Sequence, residues 1–210
     1  MSQSSRNNQN VNVAEIRGIF MKKQTEITNA TRKAIFDAFW IAYQQKPIDK
    51  ISIKELVDIA HVHRSTFYRY FTDIYDLLGQ LEETVLHEIS AVLDKIEASE
   101  VTDLLKHAES TAIALKDYVP LIYYLTGPNG NINFRNKLKE QMRLRFIGLS
   151  VGRHSSLTLE YMFNYIFSCL LSNLNFWYEH QKECSLEQVC SMSKQLVSEG
   201  VLKYIENMDI

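Results

Sequence analysis

Apolar residues recur three and four positions apart along most of this chain, the spacing of one face of an α-helix. The first such run is Ile27, Ala30, Ala34, Ile35, Ala38, Phe39, Ile41 and Ala42. Pro47 ends it, because the residue before a proline avoids the helical region. Ser52 followed by Glu55 has capping-box spacing and opens a second helix with Ile53, Leu56, Val57 and Ala60 on its buried face. After the break His61-Val62-His63, a two-turn helix is expected over Arg64 to Phe71. Its pattern turns Phe67, Tyr70 and Phe71 inward and Arg64, Ser65, Tyr68 and Arg69 outward. Thr72-Asp73 offers the next N-cap. A long helix follows from about Ile74 to Ala98 on the stripe Leu77, Leu78, Leu81, Val85, Ile89, Val92, Leu93 and Ile96.

Helical spacing continues over Val101 to Tyr118, broken by Pro120, and Leu121 to Leu125 reads as a short apolar turn. Gly127-Pro128-Asn129-Gly130 is the strongest loop signal, and Phe134 to Leu149 predicts a helix with a basic face. Gly152 to Ser156 is a connector before two last helices, Leu157 to His180 and Ser185 to Asn207. Ser185 and Gln188 repeat the capping-box spacing. No strand pattern and no internal repeat is present, and 7 Gly and 3 Pro are too few for the tight turns of an all-β fold.

Composition is that of a globular protein, 46% hydrophobic and 23% charged. The net charge of −2 advertises no polyanion partner, but its distribution does. Residues 1–75 carry 11 Lys+Arg against 7 Asp+Glu, and residues 76–210 carry 12 against 18. A basic first third joined to an acidic remainder points to nucleic acid at the N-terminal end. The opening MSQSSRNNQN is polar, lacks the apolar stretch of a secretory signal, and is expected to be part of a flexible arm over 1–25. Cys169, Cys184 and Cys190 form no CxxC pair, so scattered thiols in a reducing cytoplasm are expected rather than a disulfide framework or a metal site.

The polar side of Arg64 to Tyr70 is too basic and too rich in hydroxyls for ordinary core. Arg64, Ser65 and Thr66 suit base edges, with Arg64 able to pair two acceptors of guanine. Tyr68, Arg69 and Tyr70 suit phosphates. Ser52 and Lys54, opening the preceding helix, suit a phosphate at a helix N-terminus. His63 either caps its helix or contacts a phosphate. His61 is expected to be a turn residue with an unusual backbone. The competing reading of the segment is a short solvated helix or a surface for another protein.

The run Ser52-Ile53, Ile59-Ala60, Val62, Arg64-Ser65-Thr66-Phe67-Tyr68-Arg69-Tyr70-Phe71 and Leu77 resembles the TetR/AcrR family of transcriptional regulators over about residues 27–80. Gly127 to Gly130 with Phe134 and Lys137-Leu138-Lys139 also looks like the ligand domain of one subgroup. The resemblance implies an all-α fold: an N-terminal three-helix helix-turn-helix DNA-binding domain at 26–75 and a C-terminal helical ligand-binding and dimerisation domain at 76–210. It implies a homodimer on a double-stranded DNA operator, usually as a repressor. The chain departs from the family pattern at three positions. His61 stands where glycine is usual, His63 where a small N-cap is usual, and Ile74 where a phosphate-contacting lysine is common. The expected backbone contacts then rest more on Lys22, Lys23 and Arg69.

Of the 22 residues from Leu157 to Tyr178, 15 are apolar or aromatic, and a helix greasy nearly all round must be covered. Asn164, Ser168, Ser172 and Asn175 form a polar stripe on it, suited to close helix approach across a two-fold axis or to lining a cavity. Val189, Leu196, Val197 and Val201 of the last helix join the expected dimer interface. His107, Tyr118, Tyr123, Tyr124, Phe134, Tyr161, Tyr165 and Phe176 are pocket candidates for a small amphipathic effector, though aromatics at helical spacing also serve as plain core. Tyr161 to Tyr178 lacks charge over 18 residues, the lower limit for a membrane span, but its three Asn argue against one. No phosphate-cradling glycine loop, HExxH or nucleophile motif is present, so neither an enzyme nor a bound cofactor is expected.

Overall fold

The computed structural model describes residues 26–95, 107–127, 130–148, 156–180 and 183–200. The expected arm with Lys22 and Lys23 lies outside the described residues, as do Ile96, 101–106, Pro128, Asn129, 152–155 and everything from Val201 on. Every regular element among the described residues is helical. None of these helices is long and apolar enough to cross a membrane. The chain divides into two compact units between Leu81 and Glu82, six residues beyond the boundary expected from sequence.

The first unit contains α1 (Glu26–Tyr43), α2 (Ile53–Ala60), α3 (Arg64–Tyr70) and the start of α4 (Ile74–Leu93). Its core is wider than the aliphatic stripe implied, because Phe36, Trp40 and Tyr43 of α1 are buried along with Ile35, Ala38, Phe39 and Ala42. Phe67 and Phe71 close it from the other side, their rings 5.5 Å apart and Phe71 edge-on to Phe36 at 5.3 Å. Burying a phenylalanine side chain contributes about 1.5–3 kcal/mol, so these three rings are a substantial part of a core they share with Phe39, Trp40, Leu56 and Leu77.

The caps explain where α2 and α4 begin. Ser52 Oγ accepts from the Glu55 amide, as the spacing predicts. Glu55 does not complete the box, since its carboxylate takes Lys46 Nζ at 2.7 Å instead. Asp73 Oδ1 accepts from the Asp76 amide, and Asp76 Oδ2 accepts from the Thr72 amide.

The second unit holds the rest of α4, then α5 (Ala108–Leu115), α6 (Val119–Thr126), α7 (Ile132–Gly148), α8 (Ser156–Glu179) and α9 (Leu186–Glu199). Pro120 lies in the first turn of α6, where its missing N–H is tolerated. The stretch read as a short apolar turn is therefore an eight-residue helix, with Val119, Leu121, Ile122 and Leu125 buried. Gly130 follows because any Cβ there would meet the Leu125 carbonyl oxygen at 2.2 Å. α8 packs against α6, α7 and α9, and α9 also packs on α5. Asn173 of α8 donates to Ser193 Oγ of α9 at 2.9 Å, tying the two helices where Ser193 is fully enclosed. The Ser185–Gln188 capping box closes in both directions.

Candidate nucleic-acid interface

α2 and α3 pack together across the turn His61–His63. His61 is the only non-glycine residue with positive φ among the described residues, at φ 53 and ψ 42. That left-handed conformation lets the His61 and Val62 amides close back onto Asp58 and Val57 carbonyls, the usual way to finish a helix. His61 is exposed, so its imidazole is not what holds the turn.

The turn delivers α3 with one buried and one open side. Phe67 is enclosed, Tyr70 and Thr66 are half-buried, and Arg64, Ser65, Tyr68 and Arg69 are exposed. The expected orientation of each outward residue is observed. His63 has extended backbone angles at the N-cap position, but its side chain makes no capping bond. Its imidazole is exposed on the same end of α3. Ser52 and Lys54 are exposed at the start of α2. The Ser52 oxygen already accepts the Glu55 amide, which leaves its hydroxyl proton to donate outward. Ile74, where the resemblance led one to expect a phosphate-contacting lysine, is half-buried.

Sequence reasoning missed the support of the exit from α3. Asp76 and Gln80 of α4 hold the backbone at Tyr70 and Thr72. Their signal, a polar pair at i and i+4 inside an apolar stripe, is visible in sequence but silent about its partner.

The pocket candidates separate. Phe134 is fully buried. Tyr118 is half-buried and donates to Glu88 at 3.2 Å. Tyr123 stacks on Tyr178 at 4.4 Å, donates to Glu179, and meets Tyr124 edge-on. Burial, and then the Glu179 carboxylate beside it, push the Tyr123 phenol up to about 12. His107 is exposed ahead of α5. Tyr161, Tyr165 and Phe176 stand 71%, 57% and 62% exposed on α8. These three are not assembled with the other candidates. They share an outward face with the exposed Leu157, Ser168 and Ser172.

The expected interface stripe is divided in the same way. At about 100° per residue, Tyr161, Tyr165, Ser168, Ser172 and Phe176 fall within an arc of about 80°, while Asn164 and Asn175 lie on its flank. Asn164 donates to the Glu160 carbonyl. Asn175 Oδ1 is buried and has no hydrogen-bond partner among the described residues. On α9, Leu196 and Val197 are half-buried, but Val189 is enclosed within the chain itself, because that side of α9 packs on its neighbours. Val201 lies outside the described residues. Among the described residues no group of three His, Cys, Asp or Glu is arranged to hold a metal ion.

No protein-family model and no curated protein matches the sequence. Solved structures do match the fold. The fatty acid degradation regulator FadR of Bacillus halodurans superposes with a TM-score of 0.60 at 17% identity, covering 86% of this chain and 98% of that one. A Clostridium perfringens protein described as a fatty acid metabolism regulator also gives 0.60, at 14% identity, with 80% and 98% covered. A TetR-family transcriptional regulator from Streptomyces coelicolor gives 0.53 at 18% identity, with 80% and 77% covered. In fold, as in the Arg64–Phe71 motif, this chain resembles the TetR-family transcriptional regulators.

Proposed function

We propose that this protein is a dimeric DNA-binding transcriptional regulator, acting as a repressor on a palindromic operator and released by a small amphipathic effector. The observation that carries the reading is the two-sidedness of α3: Phe67 enclosed beneath a surface of Arg64, Ser65, Tyr68 and Arg69. In this reading Arg64, Ser65 and Thr66 meet base edges in the major groove. Tyr68, Arg69 and Tyr70 hydrogen-bond phosphates, joined by Ser52, Lys54 and His63. Residues 26–75 then form the reading domain and 76–210 the regulatory one.

The dimer is supported by the outward face of α8. Leu157, Tyr161, Tyr165 and Phe176 are large apolar or aromatic groups standing in water on one side of one helix, and such a stripe on a single protomer marks an association surface. A second copy would cover it through Ser168 and Ser172, with Leu196, Val197 and Val201 of the last helix alongside. Two reading heads about 34–36 Å apart would match successive major grooves. Tyr118, Tyr123, Tyr124 and Phe134 remain the effector wall to test, and molecules with an apolar tail come first, given the fatty acid regulators that share the fold.

Selection of bound duplexes from a random library, followed by titration at several salt concentrations, tests the reading. A palindromic consensus is expected, with log affinity falling against log salt at roughly 0.9 per phosphate contacted. A flat salt response with no sequence enrichment would instead favour a protein-binding module.

A further inference from the structure

We propose that Gln80 is a positioning residue for DNA reading: it clamps the exit of α3 to α1 and α4 and so sets the angle at which Arg64, Ser65 and Thr66 are presented. The proposal rests on the DNA-binding reading above and adds a residue outside the helix-turn-helix itself.

The clamp is built from both ends of one side-chain amide. Gln80 Oε1 accepts from Arg32 Nη2 of α1 at 2.6 Å. Its amide nitrogen donates to Asp76 Oδ1 at 3.1 Å and reaches the Tyr70 carbonyl at 3.4 Å. Asp76 Oδ2 in turn accepts the Thr72 amide at 2.7 Å. The backbone is thus gripped on both sides of Phe71, by its last helical carbonyl and by the first amide beyond it. Arg32 is itself steadied, its guanidinium 5.4 Å from the Phe36 ring centre. The Thr72 amide, and after it Gln80, hold the Asp76 carboxyl below its ordinary value, so at neutral pH it stays an acceptor for both.

Position matters here because α3 is only seven residues long. A helix of two turns pivots as a rigid rod, and its N-terminal residues move as its exit moves. Base-edge hydrogen bonds weaken steeply when distance or angle drifts. Phosphate contacts carry no sequence information and tolerate small shifts. Loss of the clamp should therefore cost discrimination before it costs total affinity.

Two full-length variants test this. Gln80→Leu removes both arms while keeping bulk. Gln80→Glu keeps the acceptor for Arg32 but loses the donor and sets two carboxylates side by side. With duplexes selected on the wild type, the ratio of operator to random-duplex affinity should fall about tenfold in both, the loss expected from removing a small hydrogen-bond network. In Gln80→Leu random-duplex affinity should stay within about twofold, since that change neither removes an exposed cation nor adds an anion. In the protein without DNA, amide exchange at Phe71 and Thr72 should quicken while α1 and α2 keep their protection. An unchanged ratio in a folded variant overturns the proposal, as does unchanged exchange at Phe71 and Thr72. If Gln80→Leu does not fold, Gln80→Glu carries both measurements. A wild type that binds no duplex defeats the DNA reading instead, and the exchange measurement then still decides whether the clamp exists.

Discussion

Arg64 Nη2 donates to the Tyr68 hydroxyl at 3.1 Å, and the guanidinium carbon lies 5.6 Å from the Tyr68 ring centre. One turn of α3 separates them, so a long cation is held along the helix rather than left to wander. Arg64→Ala should relax base preference at one operator position, by about 1–3 kcal/mol, in a competition series of single-base operator variants. Tyr68→Phe keeps the ring and should cost much less. Equal selectivity in wild type and Arg64→Ala would remove Arg64 from base readout.

His61 sits in a conformation that costs an L-residue roughly 1–2 kcal/mol, and its side chain is exposed. His61→Gly should stabilise the protein by about 0.5–1 kcal/mol once the greater freedom of glycine in the unfolded chain is counted. His61→Val, β-branched, should destabilise it. Thermal melts of the two variants beside wild type measure both.

The outward stripe of α8 supplies the test of association. Ser168→Glu or Tyr165→Glu places a charge at its middle, among exposed aromatic groups. Either should shift the protein to the monomer in sedimentation velocity and weaken operator binding by more than tenfold, because both reading heads must engage together. A dimer that survives both changes would move the interface elsewhere.

Glu82 is a buried carboxylate, 3% exposed, accepting from Asn131 at 2.9 Å. Burial raises its pKa above 4.5, and neither Asn131 nor the charge of Lys137 fully offsets that. The folded protein therefore holds this proton more tightly than the unfolded chain does. Its stabilising effect is complete below the unfolded value and is lost as pH rises through the folded one. Glu82→Gln, which keeps an oxygen for Asn131, should raise stability at pH 7–8 and lose that advantage as pH falls toward 4.5. Denaturant melts at several pH values read the crossover.

Phe67→Ala should cost about 3–5 kcal/mol, since the ring is fully enclosed and touches Phe71. Operator binding should vanish together with the α3 signal in hydrogen exchange.

Much of this was legible in the chain alone. Most of the helices, the Ser185–Gln188 box, the unusual backbone at the His61 turn and the outward side of α3 follow from local spacing and backbone chemistry. Each is decided within a few residues, so the sequence suffices. Partner choice was not local. Glu55 had the right spacing for a cap, yet Lys46, nine residues earlier, took its carboxylate. Pro120 reads in sequence as a break before a short apolar turn, yet the burial of Val119, Leu121, Ile122 and Leu125 places it in the first turn of a helix. Tyr161, Tyr165 and Phe176 looked like pocket walls because aromatic periodicity says that a face is apolar but not what covers it. The packing of α8 on α6, α7 and α9 turned those rings outward. Backbone geometry repeats every few residues and is written along the chain, whereas burial depends on which distant surfaces arrive, and that was decided by the tertiary fold.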